Sequence, residues 1–358
     1  MNIEKIDKAF EIQPINEPDV EWFEIPQEPF SLHGVFYDEK EEYFRRMPME
    51  IAEEVNRGVA WGSRVSAGGR VRFMTNSPYV AIKCVQDNMP AMWNMPWIGS
   101  CGFSVYSGKE FRGIISTRPN AVNVVDAKFA FEGILYLPTL SLEEITLHMP
   151  LYNRVRKMYV GLKKGSVVQE PKPYAYQKPV VFYGSSITQG GCASHPGNDY
   201  QSFLSRAFNF DFINLGFSGN ARAEENMCDY ISKIESSVFV LDYDHNAPNV
   251  EHLKNTHYNL YERVRNANPK TPIVLISAPD FDVDKNERAE RRSVILKTFK
   301  RAKKQGDKLV WFIDGETLFG KHERSACTVD GCHPNDLGFY RMAQKIAPVL
   351  KKALKKSK

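Results

Sequence analysis

A hydroxyl nucleophile needs a base within hydrogen-bond reach, a group that orients the base, and donors for the oxyanion that develops during acyl transfer. Residues of those types occur in four stretches of this chain. Pro179-Val-Val-Phe-Tyr-Gly-Ser-Ser-Ile-Thr-Gln-Gly-Gly191 places Ser185 and Ser186 directly behind Gly184. Thr328-Val-Asp-Gly-Cys-His-Pro-Asn335 places Asp330 three residues before His333, with a glycine between and a proline after. Such a loop can fold so that the carboxylate meets one ring nitrogen while the other points outward. Asn214-Leu-Gly-Phe-Ser-Gly-Asn220 carries glycines able to expose backbone N–H groups, and Asp242-Tyr-Asp-His-Asn246 ends in a neutral amide donor suited to an oxyanion. Each stretch also has a plainer reading. Ser, Thr and Gly form turns, Asp330 could simply cap its own loop, and His333 could be an ordinary surface residue. Four compatible stretches are less easily accidental than one.

The elements that would position them are legible as well. Val180 to Tyr183 is an apolar run with the length and β-branching of a buried strand. Similar runs at 212–215, 238–241, 273–277 and 309–313 read as strands covered on both faces. Helical stretches fall between them, at about 225–234, 250–266 and 286–305. A final helix shows Phe339, Met342, Ile346, Val349, Leu350 and Ala353 at three-four spacing. Five parallel strands with helical crossovers give a doubly wound, three-layer α/β domain. The four stretches follow the first, second, third and fifth strands, so all leave toward one face of the sheet, where such folds bind ligands.

The first 165 residues read differently. Val71-Arg-Phe-Met-Thr and Tyr79-Val-Ala-Ile-Lys-Cys-Val85 alternate, with Asn76-Ser-Pro78 as a turn between them. Further short strands are expected at 102–106, 129–137 and 144–150, which together suggest an all-β, jelly-roll-like sandwich. The acidic, proline-bearing N-terminus to about Phe36 is expected to wrap the outside. One loop stands out, Asp87-Asn-Met-Pro-Ala-Met-Trp-Asn-Met-Pro-Trp97. Its methionines and tryptophans suit packing over the sandwich first, and an interface or a stacking wall for sugar rings second. Pro171, Pro173 and Pro179 mark a linker. The expected organisation is a sandwich domain at 1–165, a linker at 166–179 and the α/β domain at 180–358.

Composition narrows the function classes. The net charge of +4 on 358 residues is too small to make nucleic acid the main partner. No long apolar run suggests a membrane span, and the first residues lack the apolar core of a signal peptide, so a cytoplasmic location is expected unless a secretion signal has been trimmed. The six cysteines form no CxxC pair, which favours reduced thiols. Cys327, Cys332 and His333 cluster without a local fourth ligand, so no metal is expected. No cofactor is expected either. Gly184 to Gly191 fits neither the dinucleotide glycine spacing nor a P-loop, which would need a lysine. An α/β-hydrolase elbow fails at Ser218, because Asn220 stands where its second glycine belongs.

The order Gly184-Ser185-Ser186, Gly219, Asn246 and Asp330-x-x-His333 resembles the four blocks of the SGNH (GDSL-like) hydrolases, over roughly the second half of the chain. That resemblance implies a flavodoxin-like sheet and ester hydrolysis without a cofactor. It implies Ser186 as nucleophile, His333 as general base and Asp330 as its orienting group. The implied oxyanion donors are the Ser186 and Gly219 N–H groups and the Asn246 side chain. Ser185 stands where many members have Asp, and Asp244-His245-Asn246 replaces the commoner Gly-x-Asn-Asp, which leaves His245 without an assigned part. Gly102-Phe-Ser-Val-Tyr106 is similar to the Gly-x-Asp-Leu-Tyr signature of the β-rich domain that precedes some of these hydrolases, with Ser104 and Val105 as departures. The layout looks like a two-domain branch of bacterial esterases, and it implies a small-molecule or oligosaccharide ester as substrate, with short acyl groups such as acetyl. Rival readings are a lipase or thioesterase-type acylhydrolase, and a carbohydrate-binding protein with an inactive hydrolase domain. A homo-oligomer stays open.

Overall fold

The computed structural model describes residues 15–87, 92–116, 128–138, 141–279 and 282–357. The apolar runs of the second half form a five-stranded parallel sheet in the order Phe212–Gly216, Val180–Gly184, Val238–Asp242, Ile273–Ile276, Val310–Ile313. This is the flavodoxin-like order 2-1-3-4-5. Successive side chains of a strand point to opposite faces, and the two faces feed separate cores. Val180, Phe182, Val238, Val240, Val274 and Ile276 pack beneath the helices Tyr200–Phe208 and Asp336–Lys356. Val181, Tyr183, Phe239, Leu241, Ile273 and Leu275 pack beneath Glu225–Lys233, Val250–Ala267 and Lys285–Lys304. The final helix buries Phe339, Met342, Ile346, Leu350 and Ala353 as its spacing predicts.

The first half is an antiparallel β-sandwich. One sheet runs Val20–Ile25, Val155–Lys163, Tyr79–Asp87, Lys128–Tyr136. The other runs Val168–Gln169, Arg70–Thr75, Glu143–His148, Phe103–Ser107, Glu110–Ile115, with Ser31–His33 also paired to Arg70–Thr75. Val71, Phe73, Val80, Ile82, Phe103, Val105, Ile145, Leu147 and Val160 fill the space between the sheets. The N-terminal segment does more than wrap the outside. Val20–Ile25 is an edge strand paired antiparallel with Val155–Lys163 from Val20↔Lys163 to Ile25↔Met158, its exposed Glu21 and Glu24 blunting the free edge. Residues 1–14 lie outside the described residues.

The first half also contains two seven-residue helices, Met49–Val55 and Arg57–Ser63. Asn56 between them is extended, and its side chain caps the second helix by accepting from the Val59 N–H at 2.9 Å. Met47, Ala52 and Val59 are fully buried against the parallel sheet, in the same core as Val181, Tyr183 and Phe217. The layer covering that sheet is therefore built partly from the N-terminal half of the chain.

Candidate active site

Gly184 ends its strand where no larger residue fits: a Cβ there would lie 2.1 Å from Thr188 Oγ1 and 2.4 Å from the Asp242 carbonyl oxygen. Gly216, at the end of the neighbouring strand, is equally constrained, 2.2 Å from the Gln189 nitrogen. The two glycines let the short helix Ser186–Gln189 sit directly on the strand ends. Ser185 caps that helix, its hydroxyl accepting from the Ile187 N–H at 3.2 Å. Ser186 is thereby delivered at the first helical position, 8% exposed.

The loop from Thr328 to Pro334 closes on itself through an antiparallel bridge between those two residues and a Val329 N–H to His333 carbonyl bond of 3.0 Å. Gly331 takes a positive φ of +88°, which glycine adopts without strain. Asp330 Oδ1 accepts from the His333 and Cys332 N–H groups at 2.8 and 3.0 Å. Its Oδ2 lies 2.7 Å from His333 Nδ1. Capping the loop and holding the imidazole, separate readings in the sequence, are thus done by one carboxylate. Its partial burial works against ionisation, but the His333 N–H, the Asn94 amide, the His333 ring and the Cys332 N–H hold the carboxyl well below the usual carboxylate range.

The two loops are fastened to each other. The Cys192 N–H donates to the Pro334 carbonyl at 2.8 Å, and the Ser194 N–H to Asp336 Oδ1 at 2.8 Å. Across that seam Ser186 Oγ lies 2.9 Å from His333 Nε2.

The Gly219 stretch is anchored on both sides. Its Ser218 N–H donates to Gln189 Oε1 at 3.0 Å, which ties it to the Ser186 helix. Its Ala221 N–H donates to Asn246 Oδ1 at 3.2 Å, which turns the amide NH2 of Asn246 away from that bond. Gly219 has a φ of +72° and open space where a Cβ would stand. Among the described residues the Ser186 and Gly219 N–H groups have no protein acceptor. The structure therefore gathers Ser186, His333 and Asp330 into one hydrogen-bonded chain and links the Gly219 and Asn246 stretches to the same helix.

His245 sits beside this group, with Nδ1 4.0 Å from Cys332 Sγ. Burial pushes its pKa down to about 4 against the pull of Asp244, with Arg288, His333 and Arg291 adding to the drop. A neutral ring there places no second positive charge next to His333.

Several supports come from the sandwich half and were not read from the sequence. Asn94 Nδ2 donates to Asp330 Oδ2 at 2.9 Å. It lies in the Met/Trp loop, of which residues 88–91, including Met89, are outside the described residues. The rest of that loop divides its work. Met95 is buried in the same core as Ile187, Cys192 and Ala193, whereas Trp93 is 86% exposed. Tyr152 reaches the Ser186 carbonyl with its hydroxyl at 3.4 Å. Arg46, 2% exposed, donates to the Asn214 and Gly216 carbonyls at 3.2 and 2.6 Å and to Gly62, so it holds the strand that leads into the Gly219 stretch. Burial lowers its pKa to about 9, which still leaves it charged at neutral pH. The only signal for Asn94 was its neighbours' composition; Arg46 had none.

The GDSL-like Lipase/Acylhydrolase family model matches residues 177–351, and the GxDLY model, described as the N-terminus of Esterase_SGNH_hydro-type, matches residues 20–168. The chain belongs to the SGNH (GDSL-like) hydrolases. None of the curated proteins matches it. Among solved structures, this SGNH hydrolase is similar to a putative GDSL-like lipase from Bacteroides ovatus, at 26% identity and a TM-score of 0.82 over 94% of this chain and 98% of that one. A salicylyl-acyltransferase from a tetracycline biosynthetic pathway superposes at 19% identity with a TM-score of 0.74, covering 94% and 99% of the two chains. An acetyl xylan esterase from Butyrivibrio proteoclasticus does so at 12% identity with a TM-score of 0.56, covering 94% and 99%. The last two likenesses are of fold.

The GxDLY-like strand of this SGNH hydrolase lies on the seam between its halves. Ser104 Oγ is 3.0 Å from His195 Nδ1, and the Tyr106 hydroxyl donates to Asn198 Oδ1 at 3.4 Å. Asn198 in turn donates to Asp336 Oδ2 at 3.0 Å, three residues beyond His333. Among the described residues no group of three or more His, Cys, Asp or Glu could hold a metal ion, and no helix is long and apolar enough to cross a membrane.

Proposed function

We propose that the protein hydrolyses acetyl or similarly short acyl esters of a carbohydrate, with Ser186 as nucleophile. The observation that carries this reading is the continuous path from Ser186 Oγ to His333 Nε2 at 2.9 Å and from His333 Nδ1 to Asp330 at 2.7 Å. His333 takes the Ser186 proton as Oγ attacks the acyl carbon. The oxyanion is met by the Ser186 and Gly219 N–H groups and the Asn246 amide. The imidazolium, stabilised by Asp330, returns its proton to the departing sugar hydroxyl, and an acyl-enzyme remains. Water, deprotonated by His333, then releases the carboxylate and restores the serine.

The carbohydrate part of the proposal rests on Trp93. An exposed indole on the same loop as Asn94, which touches Asp330, offers a flat apolar face for a sugar ring. The acetyl xylan esterase among the similar structures supports the same substrate class by analogy of fold.

The test is a panel of p-nitrophenyl acetate, butyrate and octanoate beside acetylated xylan and mannan oligomers. The proposal expects turnover that falls with acyl length, is highest on an acetylated oligomer, and vanishes in Ser186→Ala. Preference for octanoate would make the protein a lipase. Binding of oligomers without Ser186-dependent hydrolysis would make it a binding module.

A further inference from the structure

We propose that a cavity on the seam between the two halves, separate from Ser186 and His333, is a binding site for a small organic oxyanion bearing phosphate or carboxylate groups. The cavity encloses about 270 Å³. Arg70, Arg72 and His148 line it from two strands of the sandwich, Arg206 from the helix Tyr200–Phe208, and Lys109 and Lys172 from exposed positions. Glu144 is the one carboxylate among the lining residues, against five arginines and lysines. It is already engaged, accepting from Arg72 Nη2 at 2.8 Å and from the Lys172 backbone N–H at 3.0 Å. Arg70 pairs with Asp211 at 2.5 Å.

One buried donor is left unsatisfied, and one ring lacks a polar partner. Arg206 lies over the Tyr106 ring, its guanidinium carbon 4.3 Å from the centroid. It makes no hydrogen bond or ion pair among the described residues, and its Nη1 is buried without an acceptor. His148 is 5% exposed and packs edge-on against Tyr106, and its ring makes no hydrogen bond among the described residues. Its burial, with Arg206, Arg70 and His195 nearby, keeps the ring neutral. Desolvated donors without acceptors are costly, and a planar guanidinium is suited to carboxylate or phosphate oxygens. An oxyanion seated here would give Arg206 Nη1 the acceptor it lacks and offer one to the His148 ring N–H. The Tyr106 and Tyr174 rings offer apolar walls for a short carbon frame. The volume lies near the lower end for ligand sites, which also favour domain seams, so it suits a sugar phosphate or a tricarboxylate rather than a nucleotide.

The test is calorimetric titration of the full chain with inorganic phosphate, glucose 6-phosphate and citrate at low ionic strength, with glucose and matched sodium chloride as controls. Saturable one-to-one binding to at least one of the three is expected, weakened about tenfold or more in Arg206→Met and in the Lys109→Ala/Lys172→Ala pair. The lysines are exposed, so the paired variant should keep its fold and its p-nitrophenyl acetate turnover. Preference for the phosphates over citrate would identify a phosphate ligand, and the reverse a carboxylate. No saturable binding, or binding unchanged in both variants, would overturn the proposal.

Discussion

The parallel-sheet loops and the sandwich contribute to the candidate site in different ways. The Asp330 loop sets its own geometry: four of its backbone and ring contacts close within the seven residues from Thr328 to Pro334. The sandwich acts across long stretches of chain. Asn94 meets Asp330 from 236 positions away, and Arg46 meets Gly216 from 170. The Asp330–His333 pair is thus set locally, while Ser186, the supporting groups and the proposed sugar contact reach it from elsewhere in the chain. If that division is real, substitutions in the first region should abolish turnover, and those in the second should change it modestly or selectively.

The largest effect is expected for Ser186→Ala and His333→Ala. Each should cost about 10⁴–10⁶ in kcat, with the double variant no worse than either, because members of such a set act as a unit. Single-turnover and steady-state assays on p-nitrophenyl acetate would read this, and thermal unfolding should be little changed. Ordinary activity in Ser186→Ala would end the proposal.

Asn246→Ala comes next. Loss of one oxyanion donor costs about 10²–10³ in turnover, and KM should stay near its original value. A change confined to KM would mean that the amide binds substrate and does not meet a developing charge. It would move Asn246 out of the first region.

Trp93→Ala sharpens the contrast from the other side. Stripping an exposed stacking face should raise KM for an acetylated oligosaccharide by about tenfold, corresponding to roughly 1.4 kcal/mol. Hydrolysis of p-nitrophenyl acetate should not respond. Equal losses on both substrates would tie Trp93 to the chemistry and blur the division.

The same division decides what the sequence could reveal. The parallel strands were legible because both of their faces are buried, which leaves unbroken apolar runs such as Val238–Asp242. The candidate site was legible because its residue types recur at strand ends in a fixed order. Val155–Lys163 was missed although it is a central strand of its sheet, because Arg156 and Lys157 interrupt the apolar pattern. A register shift between Val155 and Lys157 breaks the alternation there, Lys157 is exposed, and Arg156 pairs with Asp87 at 2.9 Å. The helices at Met49–Val55 and Arg57–Ser63 are too short to show a period, and what stabilises them is a sheet more than a hundred residues away. Asn94 could not be singled out, since no local pattern says which of two asparagines in a loop will face a distant carboxylate.

Asn94 is also where the smallest effect is expected and where the comparison is most exposed. In Asn94→Ala, Asp330 loses one donor, so its carboxyl rises toward the usual range. The His333 and Cys332 N–H groups and the His333 ring remain bound to it. Three charge-assisted contacts should keep it ionised around neutral pH. Turnover should therefore fall by less than about tenfold, in line with the loss of one hydrogen bond to a charged group. The acid limb of kcat/KM should still report a single proton. Asp330→Asn is the reference, because an amide there disturbs the imidazole's tautomer and should cost on the order of 10⁴. If Asn94→Ala approached that loss, or if its acid limb steepened to two protons, the sandwich loop would belong to the reacting machinery.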